Sequence, residues 1–158
     1  MKHFLKESRI RAPRAEVFAF HERPDALQLL TPPWEKAQIV KLPGSLRPGS
    51  RAIVRLKLGF FTVECVAEHV DYEPGVLFSD RQVVGPFGHW FHRHRFLDDG
   101  EGGTIYRDEI EYLPPLGPIG AFFGGPMLES KLQRLFDFRH EVVRRACEGG
   151  QDRDANQG

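Results

Sequence analysis

The segment from Val83 to Phe96, VVGPFGHWFHRHRF, constrains the fold of this chain more than any other stretch. After its Gly-Pro break, the side chains alternate strictly between two faces, which is typical of a β-strand. One face carries two aromatic rings and two imidazoles, those of Trp90, His92, His94 and Phe96. The other face carries two guanidinium groups, which require water. The pattern predicts a strand that lines a cavity with a few polar groups, rather than plain core or plain surface.

The composition is that of an ordinary globular protein and favours no charged partner. Of the 158 residues, 41% are hydrophobic and 28% charged, and Lys+Arg and Asp+Glu are both 22. A net charge of zero gives no reason to expect a nucleic acid or an anionic membrane surface as partner. The 13 Phe residues could fill a core or line an apolar pocket.

The two cysteines, Cys65 and Cys147, lie far apart and in no metal-binding spacing. This pattern predicts a reduced, cytoplasmic protein. The first residues, MKHFLKESRIR, carry charge where a signal peptide is apolar, and no apolar run is long enough to span a bilayer. We expect a single domain over residues 1–148 and a flexible tail over 149–158, which lacks apolar periodicity.

The order of predicted elements is one strand, two short helices, six strands and one long helix. The first strand covers Lys2–Ile10, and the short helices begin at Pro13 and Pro24. The six further strands, separated by Pro and Gly turn signals, are Gln38–Leu42, Ser50–Leu58, Phe61–Tyr72, Val76–Val83, His89–Leu97 and Gly103–Leu113. An amphipathic helix begins at Pro126 and ends before Gly149. Short connections favour antiparallel pairing, so we predict an α+β domain with a curved sheet of six to seven strands around the C-terminal helix.

Four segments resemble the START-like superfamily, also called Bet v 1-like or SRPBCC. The resemblance is to its polyketide cyclase/dehydrase and coenzyme Q-binding START-like branch. The segments are IRAPRAEVFAF, FSDRQVVGPFGHWFHRHRF, GTIYRDEIEYLPPLGPIG and LFDFRHEVVRR, which together span nearly the whole chain. The resemblance implies the helix-grip fold and a deep cavity under the C-terminal helix. It does not identify a ligand, because the superfamily uses this cavity for lipid binding, transport and occasional catalysis.

His92, His94 and Asp108 are the candidates for catalysis. If Asp99-Gly100 closes a hairpin, Asp108 lies near His94 on the neighbouring strand. A carboxylate beside an imidazole fixes its tautomer and raises its pKa, which would suit a general base acting on a polyketide or other enolisable substrate. Alternatively, these side chains satisfy one another in a polar pocket, or they hydrogen-bond a ligand.

We expect no metal and no cofactor. The two histidines share one face of their strand, but a third ligand could come from Asp108, Asp80 or His69, and no pattern selects among them. Asp80 shares a face with Phe78, and this face could point into the cavity or into solvent.

The predicted ligand-binding residues are those expected to face the cavity. They are Trp90, His92, His94, Phe96, Tyr106, Asp108, Tyr112, Phe78, Asp80, Phe122, Phe123, Leu132 and Phe136. Two apolar segments interrupted by glycine, residues 58–61 and 119–123, could form the cavity mouth, a lip that transiently touches a membrane, a homodimer contact or a lid over the core. Arg139 falls near the apolar stripe of the long helix and could reach Asp108 or Glu111, or remain in solvent.

These observations predict a protein that binds a hydrophobic small molecule, such as a lipid, a quinone or a polyketide-like aromatic. The alternative is a cyclase/dehydratase-type enzyme that uses His92, His94 and Asp108. A third hypothesis is an interaction protein that acts as a dimer and whose cavity is vestigial.

Overall fold

The computed structural model describes residues 1–115, 120 and 126–149, and these form one antiparallel sheet with three helices. The strands are β1 (Lys2–Ile10), β2 (Ala37–Lys41), β3 (Arg51–Leu58), β4 (Phe61–Glu73), β5 (Leu77–Val84), β6 (His89–Asp98) and β7 (Thr104–Leu113). The helices are α1 (Arg14–Glu22), α2 (Ala26–Leu29) and α3 (Pro126–Glu148). The sheet order β1-β7-β6-β5-β4-β3-β2 joins each strand to its neighbour by a hairpin, except that β1 adds to β7. The predicted helix-grip α+β fold is confirmed.

The turn between β6 and β7 sets the register of the central hairpin. The Asp99 carboxylate accepts hydrogen bonds from the backbone N–H groups of Glu101 and Gly103, both at 2.8 Å. Gly100 has a φ of +79°, a backbone conformation that other residues rarely adopt. With this turn closed, His94 pairs directly with Asp108 across the two strands.

Helix α3 buries a stripe of side chains spaced mostly by four residues. The stripe comprises Leu128, Leu132, Phe136, His140 and Val143. A spacing of four places successive side chains on one face of a helix, so the stripe faces the sheet as a continuous band. Within the described residues, α3 packs mainly on β1 and α1.

The inner face of the sheet has two different halves. Over β6 and β7 the inward side chains are almost fully buried, for example Phe96 at 0% exposure and Tyr106 at 1%. Over β2, β3 and the N-terminal part of β4 most inward side chains are apolar but half-buried. These side chains, called the β2–β4 inner face below, are Ile39, Val54, Leu56, Val63 and Cys65.

The outer face of the same strands is charged. Glu68 accepts hydrogen bonds from Arg51 and Arg81 at 2.6 and 2.8 Å. No helix within residues 1–115 and 126–149 is long and apolar enough to cross a membrane. The predicted tail lies outside the described residues except for Gly149, so the domain boundary stays a prediction.

Candidate functional site

A buried carboxylate, Asp108 on β7, lies at the centre of three imidazoles. Its Oδ1 is 3.0 Å from His92 Nε2 and 2.6 Å from His94 Nδ1, both on β6. Its Oδ2 is 2.8 Å from Nε2 of His140 on α3. The Asp108 side chain is 0% exposed, and an ionised carboxylate only accepts hydrogen bonds. All three histidines therefore direct an N–H group at it, which is how a protein accommodates a buried charge.

The network continues to β1 through His140. His140 Nδ1 lies 2.8 Å from Ser8 Oγ on β1. Because the other ring nitrogen donates to Asp108, the Ser8 hydroxyl donates to Nδ1 whenever the ring is neutral. The contact thus ties α3, β7 and β1 together around one carboxylate.

A second imidazole chain reaches α1 through Tyr106. His21 Nδ1 donates to the Val17 carbonyl at 2.9 Å, so its Nε2, 3.2 Å from the Tyr106 hydroxyl, accepts from that hydroxyl. This arrangement needs a neutral His21. Burial lowers the pKa of His21 to about 3, and burial also raises the pKa of Tyr106 well above its ordinary value.

The electrostatics of the cluster favour an ionised Asp108. Burial disfavours the carboxylate, but the charge of His94 and the hydrogen bonds from His140 and His92 outweigh it, and the pKa of Asp108 lies well below its usual range. Burial likewise opposes a charged His94, but the Asp108 charge and the hydrogen bond to it raise the pKa of His94. For His92, burial and the neighbouring His94 dominate and lower its pKa. The cluster therefore shifts the pKa values of the two strand histidines in opposite directions.

Asp80 on β5 points inward, which the sequence left open. Its Oδ2 lies 3.6 Å from His92 Nδ1 and 3.7 Å from His94 Nε2, beyond hydrogen-bond distance from either. Its side chain is 16% exposed. Asp80 is thus the member of the cluster that solvent reaches most easily.

The aromatic residues predicted to contact a ligand pack against one another. Phe78 stacks on His94 with ring centroids 4.0 Å apart, and Phe96 stacks on Tyr106 at 5.3 Å. The buried members form two core clusters, one with Phe78, Phe96 and Tyr106, the other with Tyr112, Leu132 and Phe136. Trp90 is half-buried beside the second cluster. Their role as ligand contacts stays a prediction.

The structure describes one of the two glycine-interrupted apolar segments, and it also describes Arg139. Phe60, at the tip of the β3–β4 hairpin, is fully exposed and Phe61 largely so, which rules out a core lid at this hairpin. The predicted membrane and dimer contacts remain predictions, and Phe122 and Phe123 lie outside the described residues. Arg139 is partly buried and its Nε donates to the Leu30 carbonyl at 3.1 Å, whereas its suggested pairing with Asp108 or Glu111 stays a prediction.

Two surface depressions differ from the Asp108 cluster in character, although Ser8, which contacts His140, lines one of them. They have volumes of about 280 and 560 Å³. Charged side chains dominate their linings, among them Glu7 and Arg9 in one, and Arg93 and Arg95 in the other. Neither suits a hydrophobic ligand.

His21, His140 and Ser8 are site residues that the sequence interpretation missed. A signal existed for two of them. His140 follows Phe136 by four residues, and His21 follows Val17 by four, so each continues the buried stripe of its helix. Ser8 alternates inward on β1 between polar and charged neighbours, and nothing in that pattern separates it from a surface residue.

The chain matches a protein family and several solved structures. The family model described as polyketide cyclase/dehydrase and lipid transport matches residues 10–138. A nucleoside-diphosphate sugar epimerase from Corynebacterium glutamicum is similar over 90% of this chain, with a TM-score of 0.71 and 25% identity, and the chain spans 28% of that protein. No curated protein sequence matches the chain.

Two further structures are similar over nearly their full lengths. An aromatase/cyclase from Streptomyces sp. R1128 has a TM-score of 0.66 at 17% identity, covering 93% of each chain. A START superfamily protein from Mycobacterium smegmatis has a TM-score of 0.67 at 11% identity, covering 93% of this chain and 97% of that one. At these identities the likeness demonstrates a shared fold.

Proposed function

Since this chain belongs to the polyketide cyclase/dehydrase and lipid transport family, we propose that it binds a hydrophobic small molecule, a lipid, a quinone or a polyketide-like aromatic, over the β2–β4 inner face. The observation that carries the proposal is the half-buried apolar surface formed by Ile39, Val54, Leu56, Val63 and Cys65. A concave, mostly apolar surface is the usual setting for a small-molecule site.

The pairing of the strands makes this surface continuous. Ile39 pairs with Val54, Val54 with Cys65, and Leu56 with Val63, so the side chains form adjacent rows across three strands. Directly paired side chains on one face lie about 4.5–5.5 Å apart at Cβ. A flat or elongated apolar molecule would contact several of them at once.

The other half of the inner face is a poorer place for a ligand. The rings over β6 and β7 are packed tightly, and Phe96 is 0% exposed. Inserting a ligand there would require core side chains to move, which costs free energy. The tightly packed half would hold the sheet and α3 in place, while the β2–β4 half receives the ligand.

Ligand binding is preferred to catalysis by His92, His94 and Asp108. A general base must come within hydrogen-bond reach of the proton that it removes. Asp108 is fully buried and is surrounded by the three imidazoles and the Tyr106 hydroxyl, and both strand histidines are buried as well. The cluster is therefore better suited to fixing the register of β6, β7 and α3 than to meeting a substrate.

A bulky side chain on the inner face should weaken ligand binding, and a matched change on the outer face should not. We expect Val54→Trp to weaken binding of the uncharged dye Nile red by roughly tenfold or more, about 1.4 kcal/mol, because the indole occupies the ligand's space. Arg55→Trp, on the next residue and the opposite face, should bind as the unchanged protein does. Fluorescence titration gives both affinities, and circular dichroism verifies that both variants fold.

The same variants test for a natural ligand. An organic extract of the natively purified protein should contain an enriched lipid, quinone or aromatic, which mass spectrometry detects. That molecule should be depleted in Val54→Trp and retained in Arg55→Trp. An empty extract together with no Nile red binding, or equal binding by both folded variants, would refute the proposal.

A further inference from the structure

The geometry points to a divalent transition-metal site formed by His92 Nδ1, His94 Nε2 and Asp80 Oδ2. The three candidate donor atoms lie within 4.8 Å of one another. Two imidazoles and one carboxylate form a ligand set that Zn²⁺ and Fe²⁺ accept, leaving further positions open for water. This site goes beyond the proposed ligand binding and does not depend on it.

The separations suit a bridging cation better than a direct hydrogen bond. Asp80 Oδ2 is 3.6 Å from His92 Nδ1 and 3.7 Å from His94 Nε2. Ligands bound at about 2.0–2.1 Å in tetrahedral geometry lie roughly 3.3–3.5 Å apart. The distances from Asp80 Oδ2 to the two nitrogens are therefore within a few tenths of an ångström of those between two ligands of one ion, and the two nitrogens lie within 4.8 Å of each other.

Asp108 orients the two rings as an outer-shell carboxylate does in known metal sites. Its Oδ1 lies 3.0 Å from His92 Nε2 and 2.6 Å from His94 Nδ1. Both nitrogens must carry a hydrogen, because they approach an anionic oxygen so closely. The opposite nitrogen of each ring, the one nearer Asp80, is then the atom free to bind a metal. Such carboxylate–histidine pairs fix ring orientation and raise ligand basicity.

The candidate ligands stand on rigid, packed elements. Asp80 pairs directly with His92 across β5 and β6, and His94 follows two residues later on the same face. Phe78 stacks on the His94 ring, and Phe136 contacts the His92 ring edge-on with centroids 5.3 Å apart. Packing of this kind holds ligands near a productive geometry before the metal arrives.

A neighbouring unsatisfied nitrogen is a second, independent observation. His69 on β4 pairs with Asp80 across the sheet, and its buried Nδ1 has no hydrogen-bond partner among the described residues. An orphaned buried polar atom costs free energy and calls for an explanation. The charges of Asp80 and His94 both act on the pKa of His69, which places its ring beside the site, and the partly exposed Asp80 provides the entry route.

This site differs from the expectation drawn from the sequence, which was that no metal binds. That expectation arose because Asp80, Asp108 and His69 were equivalent candidates for the third ligand. The structure separates their positions: Asp108 lies on the far side of both rings, and Asp80 lies on the open side.

Cobalt titration tests the site directly. Tag-free protein is treated with EDTA, transferred to metal-free buffer and titrated with Co²⁺, while the visible absorption of the ion is recorded. We expect one Co²⁺ per chain with the spectrum of a low-coordinate nitrogen–oxygen site, and displacement by Zn²⁺. Asp80→Asn, which removes the carboxylate charge at nearly constant shape, should weaken binding by at least about 100-fold, more than the loss of an outer-shell partner.

A histidine on the opposite face of the same strand supplies the control. His89→Gln should leave both the spectrum and the affinity unchanged, since His89 faces away from the cluster. The proposal is overturned if the unchanged protein produces no Co²⁺ spectrum, or if folded Asp80→Asn binds Co²⁺ as tightly as the unchanged protein. Nile red binding is measured in parallel, so a failure of the metal site is distinguishable from a failure of the ligand proposal.

Discussion

Replacing Asp108 by Asn is expected to lower the free energy of unfolding by about 3–5 kcal/mol, the usual result of breaking a buried charge network. The amide keeps the shape of the carboxylate, but it has one acceptor oxygen for the three imidazole N–H groups that now point at two oxygens. Its NH₂ group would face a donor, and at least one buried N–H would lose its partner. Since domains are stable by only about 5–15 kcal/mol, a loss of this size takes a large share of the total.

Urea unfolding at pH 7 measures this change. Glu109→Gln is the matched control, because Glu109 is the adjacent residue on the partly exposed outer face, where it meets Arg93, Arg95 and Arg107. Surface ion pairs contribute about 0–1 kcal/mol, so this variant should lose no more than that. Equal free energies of unfolding for the two variants would show that the Asp108 network stabilises the protein no more than a surface ion pair does.

Truncating Phe136 to Ala is expected to cost about 3–5 kcal/mol, because the ring is 0% exposed and its removal leaves a cavity. Phe136 lies at the centre of the α3 stripe. Its ring is 5.3 Å from that of Phe4 on β1 and 5.3 Å from that of His92 on β6. The variant should therefore loosen α3 from both strands.

The control for Phe136 is the same substitution two residues later. Phe138 is half-buried and contacts Trp34, which is itself 40% exposed. A ring contact of this kind contributes about 0.5–1.5 kcal/mol beyond area burial, so Phe138→Ala should cost clearly less than Phe136→Ala. Thermal and urea unfolding report both values, and a larger loss for Phe138→Ala would contradict the assigned packing of α3.

The order of strands and the central register are predictable because they depend on local signals. The predicted bounds of the six later strands fall within one residue of the observed ones. The Asp99-Gly100 turn closes a short hairpin, and once it is closed the alternation of β6 and β7 places His94 opposite Asp108. Neither step requires knowledge of a distant part of the chain.

The partners of Asp108 from other elements are not predictable in the same way. His140 comes from α3 and Ser8 from β1, and their positions depend on how the helix docks on the sheet. The spacing of four from Phe136 indicates that His140 faces inward, but it does not indicate which carboxylate it meets. Docking is a sum of many weak long-range contacts, which no local pattern records.

The division of the inner face into packed and open halves is also beyond the sequence. Alternation separates the two faces of each strand, but it does not indicate whether inward aromatic rings fill the space or surround it. Phe96 and Tyr106 fit either interpretation, and in the structure they fill it. The small and medium side chains of the β2–β4 inner face, from Ile39 to Cys65, include no aromatic or charged group that would indicate a site, and they form the more accessible surface.

The two cysteines offer a direct test of where a hydrophobic ligand binds. Cys65 lies on the β2–β4 inner face, whereas Cys147 on α3 packs against the first core cluster. Burial raises the pKa of each thiol to about 11, so both should react slowly and at comparable rates with iodoacetamide at pH 8. The measurement is the alkylation rate of each cysteine, by peptide mass spectrometry, with and without saturating Nile red. If the ligand lies over the β2–β4 inner face, the dye slows Cys65 alkylation several-fold and leaves Cys147 unchanged; an unchanged Cys65 rate, or equal slowing of both, would contradict it.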